Sequence, residues 1–137
     1  MKIVICGSIS AALKIVEIKE KLSALNHEVI MPHNVEKYAS GALPMESGTE
    51  SVQNKIKDDL IRRYFNIINS ADSILVVNAD KNGKKNYIGG NAFLEMGYAY
   101  ALNKNIFLLN EIPDLPYADE IRAMCPVVIG GDLSKIQ

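Results

Sequence analysis

The stretch Lys2-Ile3-Val4-Ile5-Cys6-Gly7-Ser8 decides the fold. Its run of β-branched residues ends at a Gly-Ser pair, which is typical of a buried strand that turns directly into a helix. The residues that follow carry an apolar stripe at helical spacing, formed by Ala11, Ile15, Ile18, Leu22 and Leu25. We expect Ser10 to cap this helix and Asn26 to end it. A second strand from Glu28 to Met31 then completes a right-handed βαβ unit.

Helices and strands keep alternating along the rest of the chain. A helical pattern covers residues 50–69, and strand-like runs occupy residues 73–78, 105–110 and 126–129. Between these strands, helices are expected over residues 88–102 and 117–124. The alternation predicts one domain over residues 1–137, an α/β fold in which a doubly wound, parallel five-stranded sheet lies between two helical layers. We expect the flavodoxin-like strand order 2-1-3-4-5.

Composition limits the classes of function. The formal net charge of −1 and the 48% of hydrophobic residues are typical of a globular domain, and they do not indicate binding to polymeric nucleic acid or to a membrane. No signal peptide is expected, because the first residues run directly into a strand pattern. Cys6 and Cys125 lie far apart in the sequence, so we expect reduced thiols in a cytoplasmic protein. Metal-ligand spacing and dinucleotide or Walker motifs are absent, so we expect no metal and no cofactor.

A ligand crevice is expected where the carboxyl ends of the parallel strands meet. Gly7-Ser8-Ile9 and Gly89-Gly90-Asn91 stand at helix starts, where backbone N–H groups favour an anionic group. The alternatives are a tight strand-to-helix turn at Gly7 and a strained turn at the glycine pair. The lysines of residues 81–85 either contribute to a phosphate site or belong to a solvated loop around the Asn82-Gly83 turn.

Other crevice residues come from the loops that follow the second and third strands. Asn78 and Asp80 are expected to face the ribose or the base. His33 is either a ligand contact or an ordinary loop histidine. It opens the polar segment of residues 33–49, which we interpret as a substrate lid or as a flexible excursion.

The helix predicted over residues 88–102 carries the chemically most interesting residue. This helix is apolar or small almost all round, so we expect it to be buried, with Asn91 as its cap. Glu95 is expected in the first turn, among Phe93, Leu94 and Met96. A carboxylate there could act as a nucleophile, or it could only complement the helix dipole from a wet surface.

Two motifs carry a resemblance to a known family. The run from Gly90 to Ala99 (GNAFLEMGYA), after the Ala71-Asp72 pair, resembles the signature helix of the nucleoside 2-deoxyribosyltransferases and of the 2′-deoxynucleoside 5′-phosphate N-hydrolases. Cys6-Gly7-Ser8-Ile9 is similar to the Gly-Ser-Ile turn that lines the nucleotide pocket of the hydrolases. The resemblance implies that Glu95 attacks the anomeric carbon of a nucleoside or nucleotide. It also implies a homodimer or a higher homo-oligomer, which the apolar bulk of Phe65, Met96, Tyr98 and Tyr100 favours as well.

The chain departs from the family pattern at two places. Tyr64 stands where the family has an aspartate that protonates or orients the leaving base, and Gly89 stands where it has Asp or Ser. Asp80 is the candidate substitute for the missing acid. The leading hypothesis is therefore cleavage or transfer at an N-glycosidic bond, and the alternative is a non-catalytic nucleotide-binding or sensing module. A flavin carrier is disfavoured, because the loops lack an aromatic pair to enclose the ring.

Overall fold

A single parallel sheet forms the centre of the molecule in the computed structural model, which describes residues 1–44, 48–57 and 59–137. The strands are β1 (Lys2–Cys6), β2 (Glu28–Ile30), β3 (Ser73–Val76), β4 (Asn105–Leu108) and β5 (Val127–Val128). They pair in the order β2-β1-β3-β4-β5, and every neighbouring pair is parallel. The predicted fold class and strand order are confirmed.

The helices cover both faces of the sheet. They are α1 (Ala12–Ala24), α2 (Val35–Ala39), α3 (Gly48–Lys57), α4 (Leu60–Asn69), α5 (Gly90–Ala101) and α6 (Ala118–Ala123). The side chains of α1 and α2 pack on the face that carries Ile3 and Ile5. Those of α4, α5 and α6 pack on the face that carries Val4 and Cys6. Because side chains alternate across a strand, β1 supplies both apolar cores from consecutive residues.

The segment between β2 and β3 differs from the prediction. The single helix expected over residues 50–69 is wrong, because α3 and α4 are separated at Asp59, whose backbone is left-handed with φ of 50°. Val52 and Ile56 of α3 are exposed, so the apolar stripe does not continue as one buried face. The polar segment of residues 33–49 contains α2, and the first residue of this helix, Val35, is buried. The lid stays a prediction, because residues 45–47 lie outside the described residues.

The first turn after β1 also differs in detail. Ser8, rather than Ser10, is the capping residue: its Oγ accepts from the backbone N–H of Ser10 at 3.3 Å and starts a 3-10 turn over Ile9–Ala11. The helix α1 begins after this turn. At its other end Asn26 has φ of 67°, so the predicted helix stop is confirmed.

Three expectations about α5 are wrong. Gly89 is the N-cap residue, and Asn91 lies inside the first turn without capping it. Glu95 is therefore in the second turn, where the helix dipole acts on it less strongly. The helix is also not buried all round, because Leu94 and Tyr100 each expose about half of their surface.

Asp72, which belongs to the motif quoted for the resemblance, has a structural role at the amino end of the sheet. Its carboxylate accepts a hydrogen bond from the backbone N of Lys2 at 2.7 Å, and its own N–H donates to the Lys2 carbonyl at 2.9 Å. This pair fixes the start of β1 beside β3. Within the described part of the chain, no helix is long and apolar enough to cross a membrane.

Candidate active site

A cleft opens where β2 leaves the sheet. The pairing of β1 with β2 ends at Val4 and Ile30. One residue further on, the carbonyl of Ile5 accepts a hydrogen bond from the hydroxyl of Tyr64 on α4. The Tyr64 hydroxyl thus supplies a hydrogen bond where β2 no longer pairs with β1. The chain after β2 can therefore diverge from β1 without leaving the buried Ile5 carbonyl unpaired.

Glu95 lies close to this position, together with Cys6 and Tyr64, and we name these three residues the Glu95 cluster. Cys6, the last residue of β1, is fully buried, while Tyr64 and Glu95 retain part of their exposed surface. Cys6 and Glu95 influence each other's pKa, and both influence the pKa of Tyr64, so the three side chains lie within electrostatic range of one another. The cluster joins the end of β1, α4 and α5 at one point.

Burial decides the protonation of the cluster. It raises the pKa of Glu95 from 4.5 to about 8, against a smaller lowering by the hydrogen bond from Cys6. The pKa of Cys6 is raised well above its usual value by burial and then by the neighbouring Glu95. The pKa of Tyr64 is raised well above its usual value by burial first and by Cys6 and Glu95 second. At pH 7 the free protein therefore holds all three groups mainly in their neutral forms, and Glu95 is the one that can ionise just above neutrality.

A small cavity adjoins the cluster on the side of β2. Its volume is about 150 Å³, and its lining consists of Met31, His33, Leu60, Arg63, Tyr64 and Ile67. Tyr64 is common to the cavity and the cluster, whereas Glu95 and Cys6 are not among the residues that line the cavity. The structure brings the predicted His33 to this place. Arg63 was missed, because on sequence it reads as part of the solvated face of a helix.

A second group of polar side chains meets at the turn after β1. The ammonium group of Lys81 donates to Ser8 Oγ at 3.0 Å, and Ser10 Oγ donates to the same oxygen at 2.9 Å. Lys81 and Lys84 both lie over the ring of Tyr87, at 5.8 and 5.6 Å from its centroid. The loop that carries these lysines is a short hairpin closed at Asn82-Gly83, where both residues have positive φ, which confirms the predicted turn.

Two glycines of the crevice, Gly7 and Gly89, serve close approach rather than strained turns. Gly7, Gly89 and Gly90 all have ordinary negative φ, which contradicts the strained-turn alternative at Gly89-Gly90. A Cβ atom at Gly7 would stand 3.2 Å from the Val77 carbonyl oxygen and 3.3 Å from Ile15 Cδ1, so this glycine lets β1 and α1 pack closely. A Cβ atom at Gly89 would stand 3.3 Å from the ring of Tyr87. Gly90 and Asn91 are exposed at the start of α5.

Asn78 and Asp80 have structural partners. Asn78 is fully buried; its Nδ2 donates to the carbonyls of Asn110 and Glu111 at 3.1 and 3.0 Å, and its Oδ1 accepts from the Asn110 backbone at 2.9 Å. It ties the loops after β3 and β4 together and presents no surface to a ligand. The exposed carboxylate of Asp80 accepts from the backbone N of Asn86 at 2.9 Å and closes the lysine hairpin. Neither side chain is brought into the Glu95 cluster.

No three His, Cys, Asp or Glu side chains are arranged to hold a metal ion in residues 1–44, 48–57 and 59–137. Comparison of the chain with models of known protein families and with curated protein sequences gives no match. The chemical interpretation of the crevice therefore depends on its own geometry.

The raised pKa of Glu95 predicts a specific dependence of stability on pH. The folded-state value of about 8 lies above the unfolded value of 4.5, so the folded protein binds this proton more tightly. The resulting stabilisation is complete below about pH 4.5 and is lost as the pH rises through about 8. We expect the free energy of unfolding of the wild type, minus that of Glu95→Gln, to fall by up to about 5 kcal/mol over this interval.

Urea unfolding at a series of pH values measures this difference. Glu120→Gln, which removes an exposed carboxylate from α6, controls for the change in net charge. A constant difference between wild type and Glu95→Gln from pH 4.5 to pH 9 would contradict the burial of an ionisable Glu95.

Proposed function

We propose that the protein cleaves or transfers the N-glycosidic bond of a nucleoside or nucleoside 5′-monophosphate, with Glu95 as the nucleophile. The observation that carries the proposal is the position of Glu95: a largely buried carboxyl group at the carboxyl end of a parallel sheet, clustered with Tyr64, which also lines a cavity. Open α/β sheets bind their ligands at this edge. A perturbed pKa in a cleft is typical of a functional group rather than of a structural one.

The chemistry requires the ionised form of Glu95. A carboxylate oxygen attacks the anomeric carbon, and the C1′–N bond breaks with its electron pair moving to the base. The glycosyl ester formed on Glu95 is then resolved by water, which gives hydrolysis, or by a second base, which gives transfer. A carboxylate stripped of water is a stronger nucleophile than a hydrated one, so the burial that raises the pKa of Glu95 also raises its reactivity.

The surroundings of Glu95 offer separate places for the base and for a phosphate. The cavity of about 150 Å³ combines apolar side chains with His33 and Arg63, which suits a flat heterocycle with polar edges. Tyr64, which lines this cavity, occupies the position where the resembled family has an aspartate. The Ser8 hydroxyl and the Lys81 ammonium group, which contact each other, and the start of α5 are the groups that we propose for binding a 5′-phosphate.

The proposal predicts that Glu95→Gln abolishes the reaction and spares binding. Glutamine keeps the shape of the side chain but cannot form the ester, so release of free base should fall by at least about a thousandfold. Affinity for the nucleotide, measured by calorimetry, should persist. Chromatography of the products quantifies base release, and Glu111→Gln serves as a carboxylate control outside the cluster.

Two outcomes of this experiment favour other interpretations. Full activity in a folded Glu95→Gln protein would contradict the role of Glu95 as nucleophile. Tight binding of a nucleotide that the wild type leaves intact would favour the non-catalytic binding module instead.

The polar group at Ser8 predicts a preference for the phosphorylated ligand. Two or three charge-assisted hydrogen bonds at about 1.5–3 kcal/mol each would favour a 5′-monophosphate over its nucleoside by tenfold or more. Lys81→Gln should remove most of this preference and leave nucleoside affinity unchanged. Lys85→Gln, a change of the same charge in the same loop, should keep it. Equal affinity of the wild type for the two ligands would contradict the phosphate subsite.

We propose in addition that the protein is a homo-oligomer, although the structure changes the reason for this expectation. Met96 is fully buried, and Phe65 stacks on Tyr98 at 4.4 Å, so Met96 is covered and the two rings are partly covered within one chain. The exposed side of α5 retains Leu94, Gly97 and Tyr100 as a small apolar surface. Tyr100→Arg should dissociate the oligomer, whereas Leu13→Arg, at an exposed apolar position on α1, should not. Light scattering that shows only a 15.1 kDa species in the wild type would contradict the proposal.

A further inference from the structure

The hydrogen bonds at the turn after β1 converge on one atom, the hydroxyl oxygen of Ser8. The backbone N–H of Ser10 donates to it at 3.3 Å, the Ser10 hydroxyl at 2.9 Å and the Lys81 ammonium group at 3.0 Å. An ammonium group has three N–H bonds and no acceptor, and the contact with Ser8 uses one of them. No acidic side chain of the described residues forms an ion pair with Lys81. The turn therefore offers donors and a positive charge, and an anion is the ligand that would use both.

An aromatic ring lies beside the lysine of this turn. Lys81 Nζ is 5.8 Å from the centroid of the Tyr87 ring and Lys84 Nζ is 5.6 Å from it, within the range of about 6 Å for a cation–π contact. The two lysines are paired across the hairpin, because the N–H of each donates to the carbonyl of the other at 3.0 and 2.9 Å. A single ring thus contacts both cations of the pair. A lysine side chain loses much rotamer freedom when it is fixed, so a ring that fixes Lys81 in advance lowers the cost of binding.

We propose that Tyr87 is a positioning residue for the phosphate subsite: its ring keeps the Lys81 ammonium group at the Ser8 hydroxyl, so that an anion meets donors already in place. The inference rests on the proposed function for the identity of the anion, a 5′-phosphate. The contact between the ring and the lysine exists in the free protein, and inorganic phosphate alone can probe it.

The Tyr87 ring is itself fixed from two sides. The backbone N–H of Tyr87 donates to the Ala79 carbonyl at 3.1 Å, and the Asp80 carboxylate accepts from the backbone N of Asn86 at 2.9 Å, which ties both ends of the hairpin together. On the other side the ring lies against Gly89, the N-cap residue of α5, where a Cβ atom would stand 3.3 Å from it. The ring is therefore held between the lysine hairpin and the start of α5, and a lysine that contacts it is held as well.

The experiment compares the phosphate affinity of Tyr87→Leu with that of Tyr87→Phe. Leucine removes the ring, whereas phenylalanine keeps the π face and removes only the hydroxyl. The dissociation constant of inorganic phosphate is measured by ³¹P NMR titration at low ionic strength, because salt screens contacts between exposed charges. Tyr87→Leu should weaken binding about three- to fivefold, the factor that corresponds to one exposed cation–π contact. Tyr87→Phe should bind phosphate as the wild type does, and nucleoside affinity should stay the same in both variants.

NMR of the Lys81 side chain reports its position without any ligand. An aromatic ring shields protons that lie over its face, so the Lys81 Cε protons should be shifted upfield in the wild type and in Tyr87→Phe. In Tyr87→Leu they should move to the position of an unstructured lysine. The signal is assigned by its loss in Lys81→Gln. Lys85, which has no ring contact within the described residues, is the internal control, and its signal should be the same in all variants.

Three results would overturn the proposal. The first is equal phosphate affinity in the wild type and a folded Tyr87→Leu. The second is an equal loss in Tyr87→Leu and Tyr87→Phe, because the hydroxyl rather than the ring face would then matter. The third is a wild type that does not bind phosphate at millimolar concentration. If Tyr87→Leu fails to fold, Tyr87→Met also removes the ring and gives the same comparison.

The same variants distinguish this proposal from the proposed function. With active protein, the loss in Tyr87→Leu should appear in KM for the monophosphate and not in kcat, because Tyr87 is not part of the Glu95 cluster. Weakened phosphate binding in a protein that releases no base would support the role of Tyr87 and contradict the glycosidic reaction. Base release that needs Glu95 but keeps one KM in the wild type and Tyr87→Leu would support the reaction and overturn the role of Tyr87.

Discussion

The largely buried carboxyl group of Glu95 on α5, near the end of β1, is the constraint on which the proposed chemistry depends. Burying a charge of this kind is unfavourable unless it is neutralised or paired, and no cationic side chain of the described residues contributes to the pKa of Glu95. At pH 7 the Glu95 carboxyl is therefore mainly protonated, with a pKa of about 8. A residue that only complemented the helix dipole would be expected in the first turn at the exposed surface, whereas Glu95 lies in the second turn and burial raises its pKa.

The sheet creates this environment through the divergence of two strands. β2 stops pairing after Ile30, and the hydroxyl of Tyr64 satisfies the carbonyl that the departing strand leaves behind. The cleft can therefore begin one residue before Cys6 without an unpaired backbone group. The buried side-chain amide of Asn78 likewise bonds backbone groups in the loop after β4 and ties it to the loop after β3. Both contacts satisfy buried backbone groups at the carboxyl end of the sheet, above the apolar core.

The sequence is informative about the fold because each strand is a short apolar run and the helices between them are regular. The strand order followed from the alternation of elements. The break at Asp59 could not be predicted, because the apolar residues Val52, Ile56 and Leu60 keep perfect helical spacing across it. Glu95 was recognisable as the single charged residue in an otherwise mostly apolar helix. Arg63 was not, since an exposed arginine on a charged helix face looks the same whether or not it lines a cavity.

Residues that serve the crevice indirectly were the hardest to assign. Asn78 follows a buried strand, as a ligand contact would, but its partner Asn110 lies 32 residues away in the chain. Lys81 is one of several lysines in the same loop, and the sequence does not distinguish it from the others. The folded hairpin brings its ammonium group to Ser8. Tyr64 stood out as a departure from the family pattern, and the structure places it in the Glu95 cluster.

Trapping the covalent intermediate tests the central claim most directly. The wild-type protein is mixed with a 2′-deoxynucleoside 5′-monophosphate, quenched in acid within milliseconds, and measured by intact-protein and peptide mass spectrometry. The account predicts a mass increase equal to one deoxyribosyl phosphate, located on the peptide that contains Glu95 and absent in Glu95→Gln. Release of free base by the wild type with the adduct on another residue would contradict it.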